Sequence, residues 1–525
     1  MCLDQLAASC KQQTSVDMET EAPKAALQRR SRRIIAAAIA ASFLMLVLAQ
    51  GRLNAQAYRA TWDSIDKRPM PAWFTDAKFG IIIHWGVYSV PAYAPVIPGK
   101  LAYAEWYWHQ KDEGRDNSKA NAVETGTWDY HKKMYGADFV YKNFVPDFKA
   151  QLFDPDEWAA LFLRSGAKYV VLTSKHHEGF ALWPSKEASA TWGRPWNSVE
   201  AGPRRDLLGD LTDAVRAKGL RMGFYYSLYE WYNPLWLTDK PRYVSEHMFP
   251  QFKDVVTRYK PSIIYTDGEW EMTSAQWRSP ELVAWLLNES PVKDEVVIND
   301  RWGSETRHKH GGYWTTEYTP GMSGTEHAWE ESRGMGYSFG YNRAETLNDY
   351  HTGRELVIML VDIVSRGGNF LLDIGPNADG TIPVIMQERL EQIGSWLKVN
   401  GDAIYGTRPW KETRQWSAGE QPKISYNAEF ETAYDVAKLA AKPEPGKAAI
   451  EAFFTSKGND LFAILPRWQS GSFLLKGVTG AKSVTLLGTG AQLKFKAAAG
   501  GVTVDLPDLP EDLRQQPAWV LKLDR

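Results

Sequence analysis

The sequence predicts an α/β protein in which a (β/α)8-like barrel of the TIM type is followed by an antiparallel β-sandwich. From residue 73 to about residue 406, short apolar runs alternate with longer segments of helical periodicity. Repeated strand–helix alternation predicts a parallel sheet, and about eight such units are the number that closes a barrel. Beyond residue 406 the apolar runs are short, alternating and separated by Gly, Pro or Asn. That spacing is typical of an antiparallel sandwich.

The barrel elements follow from local pattern. Eight segments have the length and β-prone composition of buried strands. They span residues 80–84, 169–174, 222–227, 263–267, 296–300, 313–317, 356–364 and 370–374, of which 356–364 also fits a helix. Helical periodicity is found over residues 155–165, 207–218, 248–259, 280–288 and 385–399. The first of these helices has Asp154 as a suitable N-cap and Gly166 as a stop signal.

The C-terminal strands are shorter. They are predicted over residues 450–454, 461–465, 472–475, 483–487, 492–495, 502–506 and 518–523, with a solvated loop or linker at 438–447. This region contains no cluster of acids, histidines or nucleophiles, so we expect it to support the barrel or to contact substrate. The expected organisation is a leader at 1–57, a barrel at 58–406 and a sandwich at 407–525.

The N-terminal segment has the pattern of a secretory signal. Four arginines between positions 29 and 33 precede an apolar run over 34–49, and Ala55, Gln56 and Ala57 follow it. A basic region, an apolar region and an A-x-A site predict cleavage after Ala57 and export to the periplasm or beyond the cell. The alternative is an uncleaved membrane anchor, although the apolar run is short for a full span.

Composition excludes several classes of function. The 525 residues include 61 basic and 63 acidic side chains, so the charge gives no indication of a nucleic-acid partner. Both cysteines, Cys2 and Cys10, lie in the leader, which excludes disulfides, zinc–thiolate sites and cysteine nucleophiles from the mature chain. The 23 Trp, 24 Tyr and 20 Phe residues fit sugar binding, but a large core explains them equally well.

One stretch, residues 263–268, is the centre of the functional interpretation. A short apolar run ends at Asp267, and Gly268 follows directly. An acid at the C-terminal end of a barrel strand lies at the rim where these barrels carry their chemistry. The alternative reading is an ordinary Asp-Gly turn.

Other predicted strands also end in polar residues. If the carboxyl ends of these strands converge at one rim, their side chains form an enzyme site. The candidates at the strand ends and in the first long loop are His84, Glu105, His176, His177, Tyr226, Arg301 and Glu317.

Motif spacing narrows the chemistry. His176 and His177 are adjacent, so their side chains diverge on a strand, and no H-x-H, H-E-x-x-H or thiolate pattern accompanies them. We therefore expect no metal site. No G-x-S-x-G elbow and no phosphate-binding glycine loop is present. Two carboxylates on separate strands, surrounded by His and aromatic residues, indicate glycoside hydrolysis.

These motifs resemble the α-L-fucosidases of glycoside hydrolase family 29, from about residue 62 to the C-terminus. The stretches that carry the resemblance are residues 78–86, 105–107, 167–180, 205–207, 223–227, 329–330, 338–342 and 367–376. The resemblance implies an exo-acting, cofactor-free enzyme that removes terminal fucose from fucosylated oligosaccharides or glycoconjugates with retention. Relatives of this family often form oligomers, so a homo-oligomer is also expected.

The resemblance also implies roles for individual residues. Asp267 matches the nucleophile. The positions that match contacts to fucose hydroxyls are His84, Glu105, Trp106, His176, His177, Tyr226 and Arg301. The positions expected to line the pocket for the C6 methyl group are Phe79, Tyr265 and Phe339. The chain departs from the family pattern at Tyr265, where Trp is common, and at Asp373, where Asn is common.

The acid/base is less directly marked. Glu317 ends a predicted strand and is the first choice, Glu330 is the second, and Glu105 is the third. The alternatives for the whole chain are a retaining hydrolase of a related sugar, and a catalytically inactive fucose-binding protein.

Overall fold

Eight parallel strands form the larger sheet of the computed structural model, which describes residues 58–426 and 434–525. The predicted leader therefore lies outside the described residues. Among those that are described, no helix is long and apolar enough to cross a membrane. The strands are β1 (Phe79–Ile83), β2 (Tyr169–Lys175), β3 (Arg221–Ser227), β4 (Ile263–Asp267), β5 (Val297–Ile298), β6 (Trp314–Glu317), β7 (Trp329–Gly334) and β8 (Asn369–Ile374).

The sheet is curled into a barrel. Its strand order is β5-β4-β3-β2-β1-β8-β7-β6, so the first strand pairs with the last. All of these pairings are parallel. Between the short β5 and β6 the sheet is joined by one bridge, from Asn299 to Tyr313. The (β/α)8-like class is thus confirmed, and all strands point their carboxyl ends to one rim.

The structure decides one assignment that the sequence left open and adds one strand that the sequence did not indicate. Residues 356–364 belong to a helix, Gly353–Ser365, which begins with a capping box between Thr352 and Glu355. The missing eighth strand is β7, whose six residues are all buried although four of them are polar or charged. Its Glu331 accepts hydrogen bonds from Thr319 N and from the Arg333 guanidinium. Because these partners lie inside the protein, β7 has no apolar pattern that sequence analysis could detect.

The helices surround the barrel. Helix Pro155–Arg164 illustrates why these segments are helical. Asp154 Oδ1 accepts from two N–H groups at its start, and Trp158 and Phe162 lie on its buried face. The other α-helices are Trp62–Ile65, Ala72–Ala77, Tyr107–Asp116, Ala122–Tyr135, Lys186–Trp192, Leu207–Ala217, Pro234–Thr238, Lys240–Arg242, Phe249–Tyr259, Ser274–Trp277, Ser279–Asn288, Gly353–Ser365, Val384–Asn400, Val436–Ala440 and Glu511–Arg514.

The C-terminal region forms two antiparallel sheets that share one apolar core. Their strands are β9 (Arg408–Trp416), β10 (Ile450–Lys457), β11 (Asp460–Leu465), β12 (Gly471–Lys476), β13 (Ser483–Leu486), β14 (Ala491–Gln492), β15 (Phe495–Ala498), β16 (Gly501–Leu506) and β17 (Trp519–Asp524). The six-stranded sheet runs β14-β13-β17-β11-β10-β9, and β12-β16-β15 form the second sheet. The predicted sandwich is confirmed. Strand β9, which the sequence did not indicate, has four of its nine residues exposed.

A buried ion pair network joins the sandwich to the barrel. Asp362, on helix Gly353–Ser365, accepts from Arg366 of the same helix and from Arg414 of β9. Asp362 is buried, and these two guanidinium groups compensate for the cost of removing its charge from water. The sandwich is therefore packed against the outer helix layer of the barrel, away from the strand ends.

Candidate active site

A pocket with about 520 Å³ of empty space lies at the carboxyl ends of the barrel strands. Barrel enzymes carry their active sites at this face. The lining residues are Ile82, His84, Tyr103, Glu105, Trp106, His176, Tyr225, Tyr265, Asp267, Trp270, Arg301, Arg307, Glu317, Ser332 and Phe339.

Asp267 ends β4 and holds a carboxylate surrounded by donors. Its Oδ2 accepts from the Tyr225 hydroxyl at 2.6 Å, and its Oδ1 accepts from Arg301 Nη1 at 2.8 Å. His177 Nε2 lies 3.5 Å from Oδ2. Burial acts to raise the pKa of Asp267, but Arg301, His177 and Tyr225 outweigh it and hold that pKa well below its usual range. The carboxylate is therefore ionised and aimed into the pocket.

Glu317 ends β6 and has the opposite electrostatic setting. Its Oε2 accepts from Arg301 Nη2 at 2.9 Å, and its Oε1 accepts from the Tyr103 hydroxyl at 3.3 Å. Burial raises the pKa of Glu317, and the charge of Asp267 adds to the rise, while Arg301 opposes it. Two carboxyl groups whose pKa values are moved apart can divide the roles of nucleophile and acid.

Arg301 links the two carboxyl groups. It follows β5, where its carbonyl accepts from Thr266 Oγ1 at 2.6 Å and its Nε donates to Thr315 Oγ1 at 3.0 Å. One rigid guanidinium thus holds one oxygen of Asp267 and one of Glu317. This arrangement is consistent with the short separation, roughly 5–5.5 Å, of the carboxyl groups in retaining glycosidases.

The histidines at the rim are uncharged. Burial lowers the pKa of His84 to about 3 and also lowers the pKa of His176 and of His177. His84 Nδ1 lies 2.6 Å from Asp373 Oδ1, and its ring stacks on Phe339. His176 Nδ1 is buried and has no hydrogen-bond partner among the described residues. Neutral imidazoles of this kind can donate to or accept from sugar hydroxyls.

Glu105 and Trp106 come from a short turn in the first long loop. Glu105 Oε2 accepts from Gly340 N at 2.8 Å, and burial raises the pKa of this carboxyl to about 8. The Trp106 ring meets His177 edge to face at 5.5 Å. Both residues lie in the pocket, as the sequence predicted.

Three predicted contact residues do not line the pocket. One of them, His177, contacts Asp267 and bonds Ser227. The other two lie elsewhere. The Tyr226 hydroxyl donates to Gln251 Oε1 at 2.8 Å, in the helix layer, whereas Tyr225 faces the pocket. Phe79 packs on Phe370 outside the barrel interior, and Ile82 lines the pocket instead. Side chains alternate along a strand, so a shift by an odd number of residues exchanges the two faces. Strict alternation from His84 would have indicated Ile82.

Glu330 also lies outside the pocket. It is near the start of β7, where its Oε2 accepts from the Tyr169 hydroxyl inside the barrel. The nearby Tyr313 hydroxyl also acts to lower its pKa, but burial dominates and raises that pKa to about 8. The carboxyl is therefore protonated at neutral pH and belongs to the barrel interior.

Replacing Tyr225 with phenylalanine should shift the acid limb of the kcat/KM profile to higher pH. The variant removes a donor to the Asp267 carboxylate, so the pKa of Asp267 rises, by about one unit for a hydrogen bond to a charged group. The measurement is kcat/KM against pH on an aryl glycoside substrate. Tyr226→Phe is the matched control, because its hydroxyl bonds Gln251, and it should leave the limb in place. A shift in the control alone would return the role to Tyr226.

Glu330→Gln should become more stable relative to the wild type as the pH rises. The folded pKa of Glu330, about 8, exceeds the ordinary value of 4.5, so the folded state binds the extra proton between these values. Its contribution to the free energy of unfolding is full below the ordinary value and is lost as pH rises toward 8. Gln does not titrate and can still accept from Tyr169. The difference in Tm between variant and wild type should favour the variant more at pH 8 than at pH 5. A difference that stays constant with pH would contradict this assignment.

Other lining residues gave no signal in the sequence. Tyr103, Trp270, Arg307 and Ser332 line the pocket, but three of them lie in loops or turns and Ser332 is in the undetected strand β7. Across residues 58–426 and 434–525, no group of three or more His, Cys, Asp or Glu side chains could hold a metal ion.

A parallel barrel whose strand ends present two carboxyl groups with pKa values moved in opposite directions, in an aromatic pocket, defines a glycoside hydrolase. Residues 45–402 match the family described as alpha-L-fucosidase, and residues 447–524 match the alpha-L-fucosidase C-terminal domain. The chain belongs to the α-L-fucosidase family.

Relatives and solved structures agree with this assignment. The alpha-L-fucosidase of Dictyostelium discoideum is 47% identical over 378 residues, which cover 70% of this chain and 78% of that protein. The tissue alpha-L-fucosidase of Homo sapiens is 40% identical over 89% of this chain and 91% of its own length. The crystal structure of Thermotoga maritima alpha-fucosidase in complex with fucose has a TM-score of 0.68 and 34% identity, and covers 89% of this chain and all of that chain.

Proposed function

We propose that the protein is an exo-acting, retaining α-L-fucosidase with Asp267 as nucleophile and Glu317 as acid/base. The observation that carries this proposal is the single guanidinium of Arg301 between the two carboxyl groups. It keeps Asp267 ionised for attack, while burial and the neighbouring charge favour the protonated form of Glu317.

In the first step, Glu317 donates its proton to the glycosidic oxygen as the bond to the anomeric carbon breaks. A carboxylate oxygen of Asp267 attacks that carbon from the opposite face, which forms a fucosyl ester and releases the alcohol. Loss of the proton leaves Glu317 ionised beside Arg301, whose charge stabilises it. In the second step, Glu317 removes a proton from water, the water oxygen attacks the anomeric carbon, and Asp267 is released. Two inversions give net retention.

The pocket walls fit a single terminal fucose. The neutral His84 and His176 and the protonated Glu105 supply hydrogen-bonding groups for hydroxyls. Tyr265, Phe339 and Ile82 supply apolar surface for the methyl group at C6. The lining also includes buried side chains of β1 and β7, Ile82 and Ser332. A pocket of this shape supports removal of terminal residues rather than cleavage within a chain.

The direct test is a panel of aryl glycosides. We expect turnover of aryl α-L-fucoside and at least about 10²-fold lower kcat/KM on aryl glycosides whose sugar has a hydroxymethyl group in place of the methyl, because the apolar wall cannot satisfy the added hydroxyl. Binding of L-fucose without any turnover would support a sugar-binding protein instead. Preference for another sugar would support a related glycosidase.

The proposal also covers the location, the domain boundary and the assembly of the protein. The predicted signal at 1–57 supports export, and the natural substrates would be fucosylated oligosaccharides or glycoconjugates met outside the cytoplasm. A domain boundary at 406/407 is supported by β9, which begins at Arg408 and pairs with β10 of the C-terminal sheet. Assembly into homo-oligomers stays a prediction, and light scattering at several protein concentrations tests it.

A further inference from the structure

The pocket has an inner part and an outer part that differ in exposure. The inner part includes His84 and Arg301, which are buried. The outer lining residues are partly or fully exposed, and they are Tyr103, Trp106, Trp270 and Arg307. The side chains of Asp267 and Glu317 are each 12% exposed and lie between the two parts. Because a general acid must contact the glycosidic oxygen, the leaving group occupies the outer part.

Trp270 presents an aromatic face in this outer part. It is 39% exposed. Among the described residues, no other exposed large hydrophobic side chain lines the pocket. The Trp270 ring meets His177 and Tyr229 edge to face with ring centres less than 6 Å apart, and it lies nearly parallel to the Trp106 ring at 6.4 Å. An exposed indole at the mouth of a polar pocket leaves apolar surface in water unless a ligand covers it.

The backbone fixes Trp270 in this position. Gly268, directly after Asp267, adopts a left-handed φ of 75°, and a Cβ there would meet the Tyr229 ring at 2.4 Å. The chain therefore turns sharply into the short helix Glu269–Glu271. The buried Glu269 forms an ion pair with Arg307, and its carbonyl accepts from Trp277 Nε1 at 3.0 Å. Asp267, which ends β4, and Trp270, at the mouth of the pocket, are thus three positions apart in one rigid turn.

Arg307 places a cation beside the same space. It lines the pocket, its side chain is partly exposed, and its charge acts on the Glu317 carboxyl. Arg307 and Trp270 both line the pocket, and Arg307 is already paired with Glu269, the residue before Trp270. The flat apolar face of the indole suits the C–H face of a pyranose ring.

We propose that Trp270 is the platform of a binding subsite for the first sugar of the leaving group, with the pyranose ring packed on the indole. The inference rests on the proposed function. It makes Trp270 a specificity-determining residue that contributes to leaving-group binding and not to fucose binding.

The test compares two substrates that share the fucosyl group and differ in the leaving group. Fluoride in α-L-fucosyl fluoride does not reach Trp270, whereas the sugar of a fucosyl disaccharide does. Trp270→Ala should lower kcat/KM for the disaccharide about 10-fold, the size of a lost aromatic contact, and leave that for the fluoride within about twofold. Inhibition by L-fucose should be unchanged. Trp270→Phe, which keeps a smaller ring, should give an intermediate loss on the disaccharide.

A tryptophan far from the pocket provides the control. Trp468 lies in the C-terminal sandwich, half-buried, and donates to the Pro507 carbonyl. Trp468→Ala should change neither substrate. Equal losses on both substrates in Trp270→Ala would overturn the inference, because they would place Trp270 in fucose binding. An unchanged kcat/KM on both substrates would also overturn it. If the wild type hydrolyses neither substrate, the proposed function itself fails, and the two failures are distinct.

Discussion

Replacing Asp267 with glycine is expected to lower kcat on an aryl α-L-fucoside by on the order of 10³-fold or more, with the fold retained. The nucleophile is lost, so no fucosyl ester forms. Sodium azide should partly restore turnover, because the small anion fits the space left by the carboxylate. Azide attacks opposite the leaving group, so the product should be β-L-fucosyl azide, with inverted configuration, as identified by nuclear magnetic resonance.

Asp267→Asn is the matched control. The amide also lacks a nucleophilic oxygen anion, but it fills the space of the carboxylate. Azide should therefore rescue the glycine variant and not the asparagine variant. The glycine variant has a second signature, since the charge of Asp267 raises the pKa of Glu317. Without that charge the pKa of Glu317 falls, so on a fucoside with a poor leaving group, which needs the proton of Glu317, the basic limb of the azide reaction should move to lower pH. Near-normal turnover in either variant would refute the assignment of the nucleophile.

Replacing Glu317 with alanine is expected to separate substrates by their leaving groups. A sugar alcohol is a poor leaving group and needs the proton from Glu317, whereas a nitrophenolate departs without it. The loss on a fucosyl oligosaccharide should exceed the loss on a nitrophenyl fucoside by about 10²-fold or more. Because the second step also lacks its base, the fucosyl enzyme should accumulate and the apparent KM for the aryl substrate should fall. Azide should rescue the second step and give α-L-fucosyl azide, with retained configuration.

Glu105→Gln and Glu330→Gln test the two other candidates for the acid. Glu105 lies in the pocket and its pKa is about 8, so it is a protonated carboxyl near the sugar. Its Oε2 accepts from Gly340 N, and nothing joins it to Asp267 in the way that Arg301 joins Glu317. We expect Glu105→Gln to weaken both substrates evenly and Glu330→Gln to change neither by more than a few fold. A leaving-group dependence and retained azide product in either variant would move the acid/base role to that residue.

The pocket was only partly visible in the sequence. Asp267 was found because a buried strand followed by Gly268 marks a strand end, and a barrel places that end at the active face. The neighbouring tyrosines could not be separated in this way. Tyr225 and Tyr226 are both buried and both hydrogen-bonded, and only the register of β3 against β4 decides that Tyr225 reaches Asp267.

Strand β7 shows why polarity can mislead. Its sequence reads as an exposed segment, yet Glu330 and Glu331 are buried. Each carboxyl accepts from a group on another strand or loop, Tyr169 for the first and Thr319 for the second. Carboxyl groups are stable in the interior only with such hydrogen-bond partners. Because these partners come from distant positions in the chain, no local sequence pattern reveals them.

By itself the sequence determined the family, the (β/α)8-like barrel with its C-terminal sandwich, and Asp267 at a strand end, because periodicity, turn residues and motifs are local properties. Only the tertiary structure decided how the acids differ. Burial, the charge of Asp267 and the bridge through Arg301 distinguish Glu317 from Glu330, and these depend on which side chains meet across separate strands. The mouth of the pocket was decided in the same way, since Trp270 and Arg307 both line it although 36 residues separate them in the chain.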